Sequence, residues 1–249
     1  MNLDIAGKIA LVTGSSQGIG FAIARGLAEE GVQVVISSRS ADKLESAKHQ
    51  IGAAAAIPAD ASNQASISEL VAKTREQIGE PEILVVNAGG PPPGAAAELE
   101  ENAWARGYEL TLMSAIRLAR ECLPAMQAKK WGRIINVTSL SVKEPVPNLT
   151  LSNAFRAGVT GFARTLASEV AEDGITVNNV APGATDTSRI RQLYPTADAL
   201  KNATEKIPAK RLATPDEVAA AAVFLAGKPA AMITGQTILV DGGAVGTLL

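Results

Sequence analysis

The chain has 249 residues, 47% apolar and 19% charged, with a formal net charge of −2 at pH 7. This composition supplies a substantial core and excludes a disordered polymer, and without a basic stripe it excludes a nucleic-acid partner. No stretch approaches the roughly 18 apolar residues of a membrane span, so no membrane partner is expected.

Met1 to Lys8 is polar, and the apolar run Ile9 to Thr13 is too short for a signal core. Cys122 is the only cysteine and reads as a small buried side chain in a reducing, cytoplasmic setting. Seven short, β-branched runs are predicted as strands: Ile9 to Thr13, Val32 to Ser37, Ala54 to Ala59, Ile83 to Asn87, Arg133 to Thr138, Ile175 to Val180 and Thr237 to Val240. Helical spacing fills the gaps at Gly18 to Glu30, Ala41 to Gln50, Asn63 to Ile78, Glu98 to Gln127, Leu151 to Glu172 and Thr214 to Ala226. Strands without clean alternation are covered on both faces. A β-α-β-α series then implies one doubly wound, Rossmann-type α/β domain over residues 1–249 with a parallel sheet. No linker or charge run divides it. The C-terminal G-T-L-L (Gly246 to Leu249) reads as an interface tail or a flexible end.

Ligands of such a sheet bind beyond the carboxyl ends of the strands, where strand order reverses. The first strand runs into T-G-S-S-Q-G-I-G (Thr13 to Gly20). Gly14, Gly18 and Gly20 let the backbone turn and approach a pyrophosphate, and Ser15, Ser16, Gln17 and Ile19 complete a loop that opens a helix N-terminus. After the second strand stands Ser37-Ser38-Arg39-Ser40, with no acid to accept from a ribose 2′-OH. Arg39 and Ser38 instead suit a 2′-phosphate, so the expected cofactor is NADP(H).

These features resemble the short-chain dehydrogenase/reductase family over almost the whole chain, its 3-oxoacyl-carrier-protein-reductase-like members in particular. The glycine spacing is that family's. Asp60 with Ala61 follows the third strand at the place of an adenine-contacting aspartate. Asn87-Ala88-Gly89 follows the fourth strand, Pro182-Gly183 the sixth and Asp241 to Gly243 the last. The resemblance implies a carbonyl-reducing enzyme acting on a small-molecule carbonyl substrate, with a lid over residues 185–207. It also implies a homo-oligomer, dimer or tetramer.

The resemblance further implies a catalytic Asn, Ser, Tyr and Lys. Ser139 holds the serine position. Counting 13 residues on from it, the tyrosine position falls on Ser152, and R-A-G-V (Arg156 to Val159) places Arg156 at the lysine. The asparagine falls on Thr111. Ser152 and Arg156 are i and i+4 and share a helix face, so Arg156 is expected to clamp the nicotinamide ribose. An alkyl hydroxyl is a far weaker acid than a phenol of pKa near 10. Substitute proton donors are a water held by Ser139 and Ser152, Lys143 in the loop after the fifth strand, or Tyr194 in the lid. Tyr108 reads as packing, His49 as surface, and Asn148 and Asn153 as possible pocket groups. No metal-ligand pattern is present. The leading expectation is an NADP(H)-dependent reductase of a ketone, quinone or 3-oxoacyl group with an altered proton relay. The alternatives are a non-catalytic NADP(H)-binding sensor or scaffold, or a lyase of the halohydrin-dehalogenase kind.

Overall fold

Each strand is apolar on two faces, and the fold meets that demand with two helical layers. The computed structural model describes residues 1–247. In chain order it contains β1 (Ile9–Thr13), α1 (Gly18–Glu29), β2 (Gln33–Ser37), α2 (Ala41–Ile51), β3 (Ala55–Ala56), α3 (Gln64–Gln77) and β4 (Ile83–Val86). There follow α4 (Glu101–Gly107), a π-helical turn (Tyr108–Met113), α5 (Ser114–Lys129), β5 (Gly132–Val137), α6 (Thr150–Val170) and β6 (Ile175–Pro182). The chain ends with α7 (Ser188–Leu193), α8 (Ala197–Glu205), α9 (Pro215–Ala226) and β7 (Thr237–Val240). The seven strands form one parallel sheet in the order β3-β2-β1-β4-β5-β6-β7.

Alternation along the strands sorts the core into two halves. Ala10, Val12, Val34, Ile36, Ile83 and Val85 face α1, α2 and α9. Leu11, Val35, Leu84, Val86 and Ile134 face α3, α5 and α6. Cys122 lies fully buried in the second half, and burial pushes its thiol up to about 12, so it serves as an apolar filler.

Three expected elements come out differently. The strand expected over Ala54 to Ala59 is only Ala55–Ala56, at the edge of the sheet, and Pro58 stands where its missing N–H faces away from β2. The chain still tracks the edge of β2, with Ile57 N bonded to Ile36 O and Ala59 N to Ser38 O. The single helix expected over Glu98 to Gln127 is interrupted by the π turn that carries Thr111. The lid region contains α7 and α8, which went unpredicted because their short, polar patterns lack a core-facing stripe. Of the expected C-terminal tail, Leu248 and Leu249 lie outside the described residues.

Leu84 is fully buried in the central strand pair. Leu84→Ala is expected to cost about 2–5 kcal/mol, read as a lowered urea midpoint. A loss below about 0.5 kcal/mol, as at an exposed position, would contradict this packing.

Candidate active site

Strand order reverses between β1 and β4, and beyond these strand ends lies a groove. The two ends are tied together. Thr13 Oγ1 donates to the carbonyl of Asn87 (3.0 Å) and accepts from Asn87 N–H (3.1 Å). Asn87 Nδ2 donates to the Gly14 carbonyl at 2.9 Å. The packing leaves no room for side chains on two glycines: a Cβ on Gly14 would fall 2.4 Å from Asn87 O, and one on Gly20 would fall 2.4 Å from Gly14 O. Gly14 also has φ +58, which favours glycine.

The groove has two lobes, of about 240 and 270 Å³, that share Gly14, Gln17 and Asn87 to Gly90. Ser16, Ser38, Arg39, Asp60 and Ala61 line the first lobe. Asp60 Oδ1 accepts from Ser62 N–H and Oγ–H. Burial raises its pKa, but these two bonds and the nearby charge of Arg39 outweigh burial and leave it lowered. Gly18, Ile19, Pro182 and Gly183 line the second lobe. Gly20 is a packing residue in the clasp. Ser15 does not meet the expectation of a cofactor contact. It is fully buried, its hydroxyl donates to Val12 O at 2.7 Å and accepts from Ser37 N–H at 3.0 Å, and its N–H donates to Ser37 O at 3.1 Å. Its polar groups are spent on joining the loop to β2.

Ser139, Ser152 and Arg156 meet in the second lobe. Ser139, at the end of β5, accepts from Ser141 N–H at 3.2 Å, which leaves its own proton to point elsewhere. Ser152 is 7% exposed and has no hydrogen-bond partner among the described residues. One helical turn on, Arg156 Nη1 donates to the carbonyls of Val137 (2.7 Å) and Thr138 (2.9 Å). Burial, with the charge of Arg189 second, pulls its pKa down to about 10. The guanidinium therefore remains charged at neutral pH.

Other expected residues lie elsewhere. Thr111 is outside the lobe: it lines a void of about 10 Å³ behind Arg156, where its hydroxyl and Asn136 Oδ1 have no protein partner. The wide π turn sets it back. Lys143 is exposed and absent from the lining, because the 3-10 turn Leu140–Val142 carries the chain outward before it. Tyr194 ends α7 outside the lining, and His49 is on the surface beside Glu45. Asn153 binds Val146 N and O, and the Asn148 carbonyl accepts from Gly94 N–H at 2.7 Å; both fix loops. Arg189, on α7, lines the lobe and escaped the sequence reading, since nothing in the lid pattern marks which side chain turns inward.

Comparison with known proteins places the chain. The family model described as Enoyl-(Acyl carrier protein) reductase matches residues 14–245. The chain is 39% identical, over 98% of both sequences, to the 3-oxoacyl-(acyl-carrier-protein) reductase FabG of Vibrio cholerae. It belongs to the short-chain dehydrogenase/reductase family. The L-sorbose reductase of Gluconobacter frateurii, solved with NADPH and L-sorbose, superposes with a TM-score of 0.94 at 34% identity and full coverage of both chains. A variant of the actinorhodin polyketide ketoreductase, solved with NADPH, gives 0.93 at 34% identity, covering 97% of this chain and 98% of that one.

Short-chain dehydrogenase/reductases are nicotinamide-dependent oxidoreductases, so the fit of the first lobe to one coenzyme or the other can be tested on its residues. No carboxylate stands at the end of β2 to bind a ribose diol. Ser38 Oγ is buried there without a partner, and Arg39 is exposed beside it without an ion pair among the described residues. An unsatisfied hydroxyl next to a free guanidinium fits a phosphate and not a diol. Arg39→Ala is therefore expected to weaken NADPH binding roughly 10- to 100-fold in calorimetry, the worth of one or two charge-assisted bonds, and to change NADH binding less than about twofold. Equal losses for both coenzymes would remove the phosphate from this corner.

Proposed function

We propose that the protein is an NADP(H)-dependent carbonyl reductase whose proton comes from water and not from a phenol. The reading is carried by one observation: a cation and two hydroxyls, Arg156, Ser139 and Ser152, face one lobe of a groove whose other lobe holds Arg39 and Ser38. The NADPH-bound reductases of the same fold and the 3-oxoacyl reductase relatives support it.

Gly14, Gly18, Ile19 and the α1 N-terminus would hold the pyrophosphate of the cofactor, and Pro182-Gly183 would flank its nicotinamide end. When bound, the reduced nicotinamide supplies a hydride for a carbonyl carbon. The chain must hold the carbonyl oxygen, stabilise the charge that develops on it and return a proton. Ser139 and Ser152 donate hydrogen bonds to that oxygen. Arg156, charged and partly buried, stabilises the developing oxyanion. No side chain in the lobe supplies an acid as strong as a phenol, so the alkoxide, about as basic as hydroxide, takes its proton from a water held between the two hydroxyls, and exchange with bulk solvent restores that water. A second water would fit the void behind Arg156, held by the free Thr111 hydroxyl and Asn136 oxygen.

Losing a positioned acid costs about 10²–10⁴-fold. The substrates are therefore carbonyls that accept hydride readily, such as activated ketones, quinones or 3-oxoacyl groups. The assembly is a homo-oligomer. Tyr108 is 40% exposed on the α4–α5 face and β7 is a half-buried edge strand, the two surfaces through which copies would meet.

Two results follow. The rate of hydride transfer is expected to be flat from about pH 6 to about pH 9, because no group in the relay titrates there. It falls as pH rises toward the Arg156 pKa of about 10, since the active form is the protonated one. A rate that fell tenfold per pH unit across neutrality would reveal a titrating acid. Arg156→Ala is expected to lower kcat by about 10²–10³-fold, the usual cost of an oxyanion donor. Unchanged kcat with weaker NADPH binding would make Arg156 a cofactor clamp only.

A further inference from the structure

The lid brings in a charge that the chemistry so far does not use. Arg189 Nη2 donates to the Pro91 carbonyl at 2.7 Å, so the side chain crosses from α7 to the loop after β4. The contact is close: a Cβ on Gly90 would fall 3.0 Å from Arg189 Nε and Nη2. Arg189 is half-buried and has no acidic partner among the described residues, whereas Arg191, two residues on, pairs with Asp186. Arg156 has no acidic partner either. The two guanidinium groups are near enough for Arg189 to disfavour the charge on Arg156. No aspartate or glutamate lines the lobe they share.

Two cations in a partly dry cleft repel, and low local dielectric magnifies the repulsion. Desolvated charge without a counter-charge is costly. An anion in the cleft turns both terms favourable, and a carboxylate matches the planar guanidinium fork. The cofactor's pyrophosphate is one possible anion. Arg189, however, is anchored on Pro91 beyond Asn87 to Gly89, the segment common to both lobes, and it shares its lobe with Ser139 and Ser152.

We propose that the substrate is an oxo acid, a ketone carrying its own free carboxylate, and that Arg189, facing Arg156, selects for that carboxylate. This rests on the reductase reading and sharpens its substrate class. The ketone gains a hydride at carbon from the reduced nicotinamide and a proton at oxygen from water. It becomes a hydroxy acid as the nicotinamide is oxidised, and the carboxylate is unchanged. Thioester-borne 3-oxoacyl groups, uncharged at that end, are then the poorer substrates.

The test compares kcat/KM for acetoacetate and phenylpyruvate with the values for their methyl esters. Wild type, Arg189→Leu and Arg189→Lys are assayed, and NADPH affinity is measured alongside by calorimetry. Wild type should favour the acids. Arg189→Leu should cut the acid-to-ester ratio by roughly 10- to 100-fold, the worth of a hydrogen bond to a charged group, and Arg189→Lys should restore part of it. A ratio unchanged while NADPH binding weakens would assign Arg189 to the pyrophosphate and overturn the proposal, as would a wild-type preference for the esters. If neither acid nor ester is reduced, the acids are titrated into the NADPH-saturated protein by fluorescence. Uptake that is lost in Arg189→Leu would uphold the carboxylate site while ending the reductase reading. No uptake would overturn the carboxylate site as well.

Discussion

The ends of β1 and β4 are clasped by the hydroxyl of Thr13 and the amide of Asn87, and everything functional is hung from that clasp. It forms where the sheet changes direction, so no crossover covers the strand ends there. It brings the Asn87 backbone so close to Gly14, and Gly14 so close to Gly20, that only glycine fits at either position. The same packing sets the glycine loop at the start of α1 against the Asn87–Gly90 segment, and these two segments form the floor common to both lobes of the groove. The floor of the groove is thus fixed mainly by backbone, and side chains above it are free to vary without moving it.

That division bears on the proposed proton relay. Ser152 and Arg156 stand on α6, whose buried face packs into the core through Val159, Ala163 and Ala167. Replacing the groups at the mouth of such a helix changes the acid but not the frame. The guanidinium of Arg156 is held by the carbonyls of Val137 and Thr138, at the end of a fully buried strand. It keeps its charge at neutral pH, and Arg189 lines the same lobe. Two guanidinium groups with no carboxylate among the residues lining the lobe are what the proposed preference for an oxo acid rests on.

The sheet was legible because its strands are β-branched runs at a regular spacing, and six of seven were placed to within about two residues. The short β3 was overestimated because Ala54 to Ala56 carry little side-chain signal for where an edge strand stops. The glycine loop could be read from spacing, since close backbone approach at Gly14 and Gly20 leaves glycine as its record. Ser15 could not: whether a loop serine faces ligand or strand depends on a tertiary partner, here the backbone of Ser37. The set-back of Thr111 follows from a π turn, which leaves no periodicity to detect in six residues. Lys143 and Arg189 are the complementary pair. Each is a basic residue near the groove in sequence, but a 3-10 turn sends one outward and a short lid helix turns the other in.

The most direct test is transfer of the label itself. The protein is mixed with NADPH carrying deuterium at the nicotinamide C4 and with an oxo acid, and the product is examined by NMR. Deuterium on the new carbinol carbon, from both wild type and Lys143→Ala, is the result expected of a live reductase that uses no side-chain acid from the loop after β5. NADPH that binds in the groove yet stays unoxidised with every carbonyl offered would contradict it, and would leave a cofactor-binding protein without turnover.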